Sequence, residues 1–251
     1  MEQEKGLNGN VLKIIALITM TLDHVGLLLL HNYQPFRIIG RIAFPLFAYM
    51  IAEGCRYTKN KRNYFLRIFG LGLLCQLAYY ITERSTYQGI LMTFSVSVLI
   101  SYVVLWAQGD RQDKQENKKD KINVSSGNGI VPWCVVIVLI TLAAVVTGQL
   151  PILPDGWQIE FDYGFFGILL PALIVMGKNK WQRLLLSAIG ISLVALSFDG
   201  SFGKIQWASL AALPLIAFYN GRKGTWNMKY LFYIYYPLHM AVIYGLTMII
   251  H

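Results

Sequence analysis

The chain has 251 residues, 55% of them hydrophobic and only 14% charged, and its mean hydropathy is +0.48. Soluble domains hold about 25% charged residues, so this composition excludes a disordered chain, a collagen and a disulfide scaffold, and it disfavours an ordinary soluble domain. The formal net charge of +9 suits either a nucleic-acid binder or a membrane protein with basic cytoplasmic loops, and the position of each charge decides between them.

Nine apolar runs follow in chain order, at 11–30, 35–54, 63–81, 90–107, 131–150, 163–176, 181–198, 205–219 and 230–250. At about 1.5 Å per residue, most are long enough to cross a hydrocarbon core of about 30 Å. The first carries Asp23-His24 and has no small-residue cleavage site, so it reads as a retained helix rather than a signal peptide. The second runs from Arg37 through Arg41 and Pro45 to Glu53. A basic segment with interleaved aromatics, from Gly54 to Arg67, leads into the third. Residues 108–130 are charged and then Ser/Gly/Asn-rich, the composition of a flexible cytoplasmic loop. An outer loop at 151–158 precedes Asp162 and the short sixth run, and Asp199 closes the seventh. The sixth and eighth runs are expected to be tilted, broken or partly buried. The ninth carries Tyr236-Pro237-Leu238-His239. The expected fold is all-α: one polytopic integral membrane bundle over 1–251, with about nine transmembrane helices and a cytoplasmic N-terminus.

The charges support this alternation. Seventeen of the 22 lysines and arginines fall on the cytoplasmic side of such a bundle. Arg37, Arg41, Arg84 and Lys204 fall outside, and Arg67 lies within the third run. The basic excess is then a positive-inside signal, and no nucleic-acid partner is needed to explain it. Cys55, Cys75 and Cys134 have no metal-ligand spacing, and no metal is expected. No P-loop, complete dinucleotide fingerprint, H-E-x-x-H or G-x-S-x-G motif occurs.

Ionisable groups at membrane depth are costly and ask for a role. His24 suits a general base, because its ordinary pKa lies near neutrality. Asp23 or Asp162 would orient it. Arg41 lies at a similar depth on the second run, and Arg37 and Arg41 share a face at i, i+4 spacing. His239 lies near the middle of the ninth run. The bland alternative is a satisfied structural network. Glu53 and the basic segment with Arg56, Lys59, Lys61, Arg62 and Arg67 could grip the phosphates of a nucleotide-type cofactor such as coenzyme A. Basic loop composition and lipid headgroups explain the same residues without one.

Lys13 through Asp23-His24-Val25-Gly26, the block Gly40-Arg41-Ile42-Ala43-Phe44-Pro45-Leu46-Phe47-Ala48-Tyr49 with Glu53-Gly54, and Tyr64-Phe65-Leu66-Arg67 resemble the TraX family. Phe161-Asp162-Tyr163-Gly164 and Tyr235-Tyr236-Pro237-Leu238-His239 resemble two later landmarks of it. The resemblance implies an inner-membrane N-acetyltransferase that modifies the N-terminal amine of a conjugative pilin. It also implies acetyl-coenzyme A as donor, and an intramembrane histidine, here His24, that assists acyl transfer.

The expectation is acetyl transfer from cytoplasmic acetyl-coenzyme A to an amine or hydroxyl of a protein or glycan at the outer side of the membrane. His24, Asp23 and Arg41 are the candidate catalytic residues, and Arg56, Lys59, Lys61, Arg62 and Arg67 the candidate donor site. Glu53, Asp162 and His239 are candidate acceptor residues. The rival reading is a small-solute or proton-coupled transporter, with the buried charges as a proton relay.

Overall fold

A computed structural model describes residues 6–109, 130–149, 159–226 and 228–250. The expected flexible loop and the loop at 151–158 fall, apart from the ends of the former, outside the described residues.

The described residues form helices and no strand. They comprise α1 Gly9–His24, α2 Gln34–Gly40, α3 Ala43–Tyr57, α4 Lys61–Glu83, α5 Ile90–Ala107, α6 Ile130–Val146, α7 Gly164–Met176, α8 Lys180–Leu196, α9 Gly200–Gln206, α10 Ala212–Ala217 and α11 Lys229–Ile250. Asn8, Asn60 and Asn179 cap α1, α4 and α8 through their side-chain oxygens. Five stretches are long and apolar enough to cross a membrane: Gly9–Leu29, Gln34–Tyr57, Lys61–Thr82, Ile90–Ala107 and Tyr233–Ile250. The fifth and sixth apolar runs are shorter helices, α6 and α7. The eighth run is broken, with a 3-10 turn at Trp207–Ala211 between α9 and α10.

The core sits where α3, α5 and α7 meet, around Leu46, Val98 and Leu170, which are all fully buried. Without water, helices in lipid associate by close packing and by polar side chains that find carbonyls. The stripe Thr93, Ser97 and Ser101 on α5 does this. Ser97 donates to the Ile168 carbonyl of α7 at 2.7 Å, close to Pro171, which lies inside that helix and lacks a backbone donor. The opposite condition holds on the outside. α4, α6 and α11 turn leucine, isoleucine and valine outward, and Ile137 and Val138 are each 63% exposed. A surface this apolar needs lipid as its cover.

Backbone contacts gather the connections at two ends. At one end, Leu7 bridges Tyr219, Gly9 N–H donates to the Arg222 carbonyl, and Gln108 Nε2 donates to the Met176 carbonyl. Tyr102 OH donates to the Lys61 carbonyl there as well. This end holds the basic connections Arg56–Arg62, Lys178–Arg183 and Arg222–Lys223. At the far end, Gln88 bridges Phe161, and Ile159 N–H donates to the Val146 carbonyl.

Two glycines permit close approach. A Cβ on Gly40 would stand 2.3 Å from the Asp23 Cβ, so only glycine lets α2 lie against α1 there. A Cβ on Gly54 would stand 2.1 Å from the Tyr64 hydroxyl, at the crossing of α3 and α4.

Candidate functional site

The site begins where α1 loses its regular winding. Directly after His24 the backbone runs as a π-helical turn over Val25–Leu29. Such turns are rare and recur at functional positions, because the extra residue re-aims the side chains beside it.

The His24 ring meets α11. His239 Nε2 lies 3.0 Å from His24 Nδ1, and His239 Nδ1 lies 2.9 Å from the Tyr235 carbonyl. The partners assign the protons. A carbonyl only accepts, so His239 carries its hydrogen on Nδ1. Its Nε2 in the neutral ring is then an acceptor, and His24 Nδ1–H donates to it. The lone pair of His24 is left on Nε2. Tyr235 stacks on His239 with centroids 5.3 Å apart, and Tyr236 meets it edge-on at 5.7 Å. The Tyr235 hydroxyl is 2.6 Å from Thr21 Oγ1, which ties α11 to α1 just before the histidine.

Asp23, the neighbour of His24, points elsewhere. Arg37 Nη1 donates to its Oδ2 at 2.7 Å and Arg41 Nη2 to its Oδ1 at 2.5 Å. The i, i+4 spacing of the arginines puts both on the face of α2 that Gly40 brings against α1. Arg41 also donates to Gln206 Oε1 at 3.4 Å. The carboxylate is thus committed to a buried two-arginine clamp, and both guanidinium charges act on the neighbouring His24.

Asp162 sits just before α7 at the far end. It accepts from the Tyr87 hydroxyl at 3.0 Å, and its carbonyl accepts from Thr93 Oγ1 at 3.0 Å. Burial pushes its carboxyl up to about 6. Burial and the Asp162 charge push the Tyr87 phenol well above its ordinary range. The hydrogen bond found for Asp162 is to Tyr87 and not to His24, although Arg41 and Asp23 are among its charged neighbours.

Glu53 lies about three turns along α3 from Arg41, near the basic end. It forms an ion pair with Arg183 of α8 and accepts from the Tyr219 hydroxyl at 3.4 Å. Arg56 donates to the carbonyls of Val175 and Gly177, closing the end of α7. Lys59, Arg62 and Arg67 are exposed, and Lys61 is half-buried at the start of α4. Among the described residues no group of three His, Cys, Asp or Glu is placed to hold a metal ion.

A cavity of about 540 Å³ runs from the basic end toward the histidine pair, although neither histidine lines it. Lys13, Arg67 and Lys223 line it at the basic end, Phe47 and Met50 in its middle, and Met20 and Tyr236 at its inner end. Gly9, Lys13, Leu17 and Met20 form one stripe of α1 facing this cavity, and the same stripe continues at helical spacing to His24. A second, polar cavity of about 480 Å³ lies across a wall that includes Glu53 and Tyr219.

Of the expected residues, the fold joins His24 with His239, and Asp23 with Arg41. It keeps Asp162 at the far end and Glu53 at the basic end. Sequence reasoning missed Arg183, Tyr235 and the role of Arg37. The i, i+4 pairing with Arg41 was the available signal for Arg37; for Arg183 there was none.

Comparisons with known proteins identify the family. The family model described as "TraX protein" matches residues 8–247. A "Probable fimbrial assembly protein FimC, serogroup H1" from Dichelobacter nodosus is 25% identical over 92% of both chains. "Protein TraX" from Escherichia coli is 32% identical over 39% of this chain and 40% of its own. No solved structure matches. The apolar helices and this family make the chain a membrane protein. It is a member of the TraX family.

Proposed function

We propose that the chain is a membrane-embedded acetyltransferase that carries acetyl from acetyl-coenzyme A to an amine or hydroxyl at the outer side of the inner membrane. The observation that carries this reading is the cavity that runs from a basic mouth at Lys13, Arg67 and Lys223 to the Met20–Tyr236 end beside the paired histidines. In the proposed topology the chain crosses nine times, with the basic end in the cytoplasm. The fimbrial name of the Dichelobacter relative and the family favour the N-terminus of a pilin-like protein as acceptor.

The residues present suit such a donor. The basic end of the bundle complements phosphates, and the apolar middle of the cavity suits a thin thioester arm. In the transfer, His24 Nε2 takes the proton from the acceptor as its nitrogen or oxygen bonds to the acyl carbon. The thioester C–S bond breaks, and the thiolate leaves with that proton. His239 holds His24 Nδ1–H and so keeps the reactive lone pair aimed. Arg37 and Arg41, fixed on Asp23, set a positive field that stabilises the developing oxyanion. Asp162 stands on the acceptor side.

The test is purified protein in lipid with radiolabelled acetyl-coenzyme A and a pilin-like peptide. The acceptor should gain about 42 Da, the mass of acetyl replacing one hydrogen. His24→Ala should insert and fold yet transfer nothing. Undiminished transfer by that variant sinks the assignment of His24. Solute flux without any binding of acetyl-coenzyme A would favour the transporter.

A further inference from the structure

The phosphate contacts of the donor need a place, and the sequence pointed to the loop after α3. The fold uses that loop differently. Arg56 is committed to the carbonyls at the end of α7, while Lys59 and Arg62 stand on the exposed rim. The polar cavity of about 480 Å³ offers a built alternative on the same end. Tyr49, Glu53 and Tyr57 of α3, Lys180 and Arg183 of α8, and Tyr219 line it.

Three properties of this cavity specify a ligand. The first is charge. Lys180 and Arg183 stand in the first turn of α8, where the helix end adds its own partial positive charge. Glu53 balances Arg183 through their ion pair, so the Lys180 charge is in excess. The second is an open donor. Arg183 Nε is buried and has no hydrogen-bond partner among the described residues. A buried donor without a partner is costly, and a small turn of the guanidinium toward an anionic oxygen in the cavity would satisfy it. The third is a stacking surface. Tyr49 and Tyr219 meet edge-on at 5.8 Å, and Tyr57 stands 55% exposed at the mouth. The wall residues Glu53, Tyr57, Tyr219 and Gly221 also line the apolar cavity that leads toward His24. The two chambers share these four residues, so one ligand with an anionic aromatic head and a thin apolar arm would span them along this shared lining.

We propose that the polar cavity between α3 and α8 binds the phosphorylated nucleotide head of the acyl donor, with Lys180 and Arg183 Nε holding phosphate oxygens and Tyr57 covering the base. This rests on acyl transfer at His24, and it moves the head from the loop after α3 into the bundle.

The probe is adenosine 3′,5′-bisphosphate, which carries the phosphates and base but no thiol. Its binding to the full-length protein in detergent is measured by titration calorimetry. Wild type should bind it. Lys180→Ala and Tyr57→Ala, both chosen outside the Glu53 ion pair, should each weaken binding by about tenfold or more. Their unfolding temperatures, read in parallel, should stay near wild type. Full binding in both variants, or loss of binding in Lys59→Ala/Arg62→Ala with Lys180→Ala intact, overturns the proposal. If wild type transfers acetyl but does not bind the bisphosphate, the head site falls and acyl transfer stands. If it binds the bisphosphate in this Lys180-dependent way but transfers nothing, the nucleotide site stands and acyl transfer falls.

Discussion

His239 Nε2 accepts the Nδ1–H of His24, and this bond joins two helices whose partners are 215 positions apart in the chain. Together with the Met20 carbonyl, a second acceptor for the His24 ring, it decides which nitrogen of His24 is basic. His239→Phe removes the acceptor while keeping an aromatic ring between Tyr235 and Tyr236. Transfer should fall by roughly 10- to 100-fold, the range seen when an orienting partner of a functional histidine is lost. His239→Gln, which retains an acceptor, should restore part of the rate. Steady-state rates of the two variants with acetyl-coenzyme A provide the check, and equal rates would reduce His239 to packing.

The Asp23 clamp makes a different prediction. Asp23→Ala leaves two buried guanidiniums without their carboxylate, and breaking a buried pair from one side costs about 3–5 kcal/mol. The variant should express poorly and unfold at a clearly lower temperature in detergent. Asp23→Asn keeps an acceptor and should be intermediate. A wild-type unfolding curve for Asp23→Ala would show that the clamp contributes little to stability.

Gly40 is predicted to be intolerant for a steric reason. A methyl group there collides with the Asp23 side chain and backbone. Gly40→Ala should cost about 1–3 kcal/mol, as overpacking does. Gly70→Ala on α4 is the control, because a Cβ there meets nothing within 4 Å. Thermal unfolding of the pair separates local collision from a general intolerance of glycine replacement.

Asp162 yields a pH dependence. Its carboxyl is raised from 3.8 to about 6, so the folded protein keeps a proton that the unfolded chain releases between those values. The stabilisation of the neutral acid is full below about pH 4, and it is lost as pH rises through about 6. Asp162→Asn stays neutral and still accepts from Tyr87. Wild type should therefore lose stability between pH 4 and 7 relative to Asp162→Asn in unfolding scans. Parallel pH curves for the two proteins would contradict this.

The all-helical, apolar character of this architecture was legible in apolar run length. The runs at 163–176 and 205–219 looked too short to be ordinary spans, and they are a 13-residue helix and a broken one. Arg37 and Arg41 could be paired on one face because helical spacing is local information. The partners His239 and Arg183 were not legible as such. Their contacts depend on how α8 and α11 pack back on the first helices, and nothing in a single sequence encodes that register. The basic loop is ambiguous for a related reason. Arginine at a helix end is equally suited to a phosphate and to a neighbouring helix's free carbonyls, and Arg56 serves the latter.

The bridge between Leu7 and Tyr219, with Gly9 bonded to Arg222, sets an order of assembly. During synthesis α1 emerges before the helices that follow it, and its Asp23 finds Arg37 and Arg41 only 14 and 18 positions later. The clamp therefore neutralises the costly carboxylate while most of the chain is still unmade. The histidine pair and both chambers need α11 or the segment before it, so they close last. A ribosome that stalls after α5 would leave four membrane-length helices with Asp23 already paired, Glu53 still without Arg183, and no centre for chemistry.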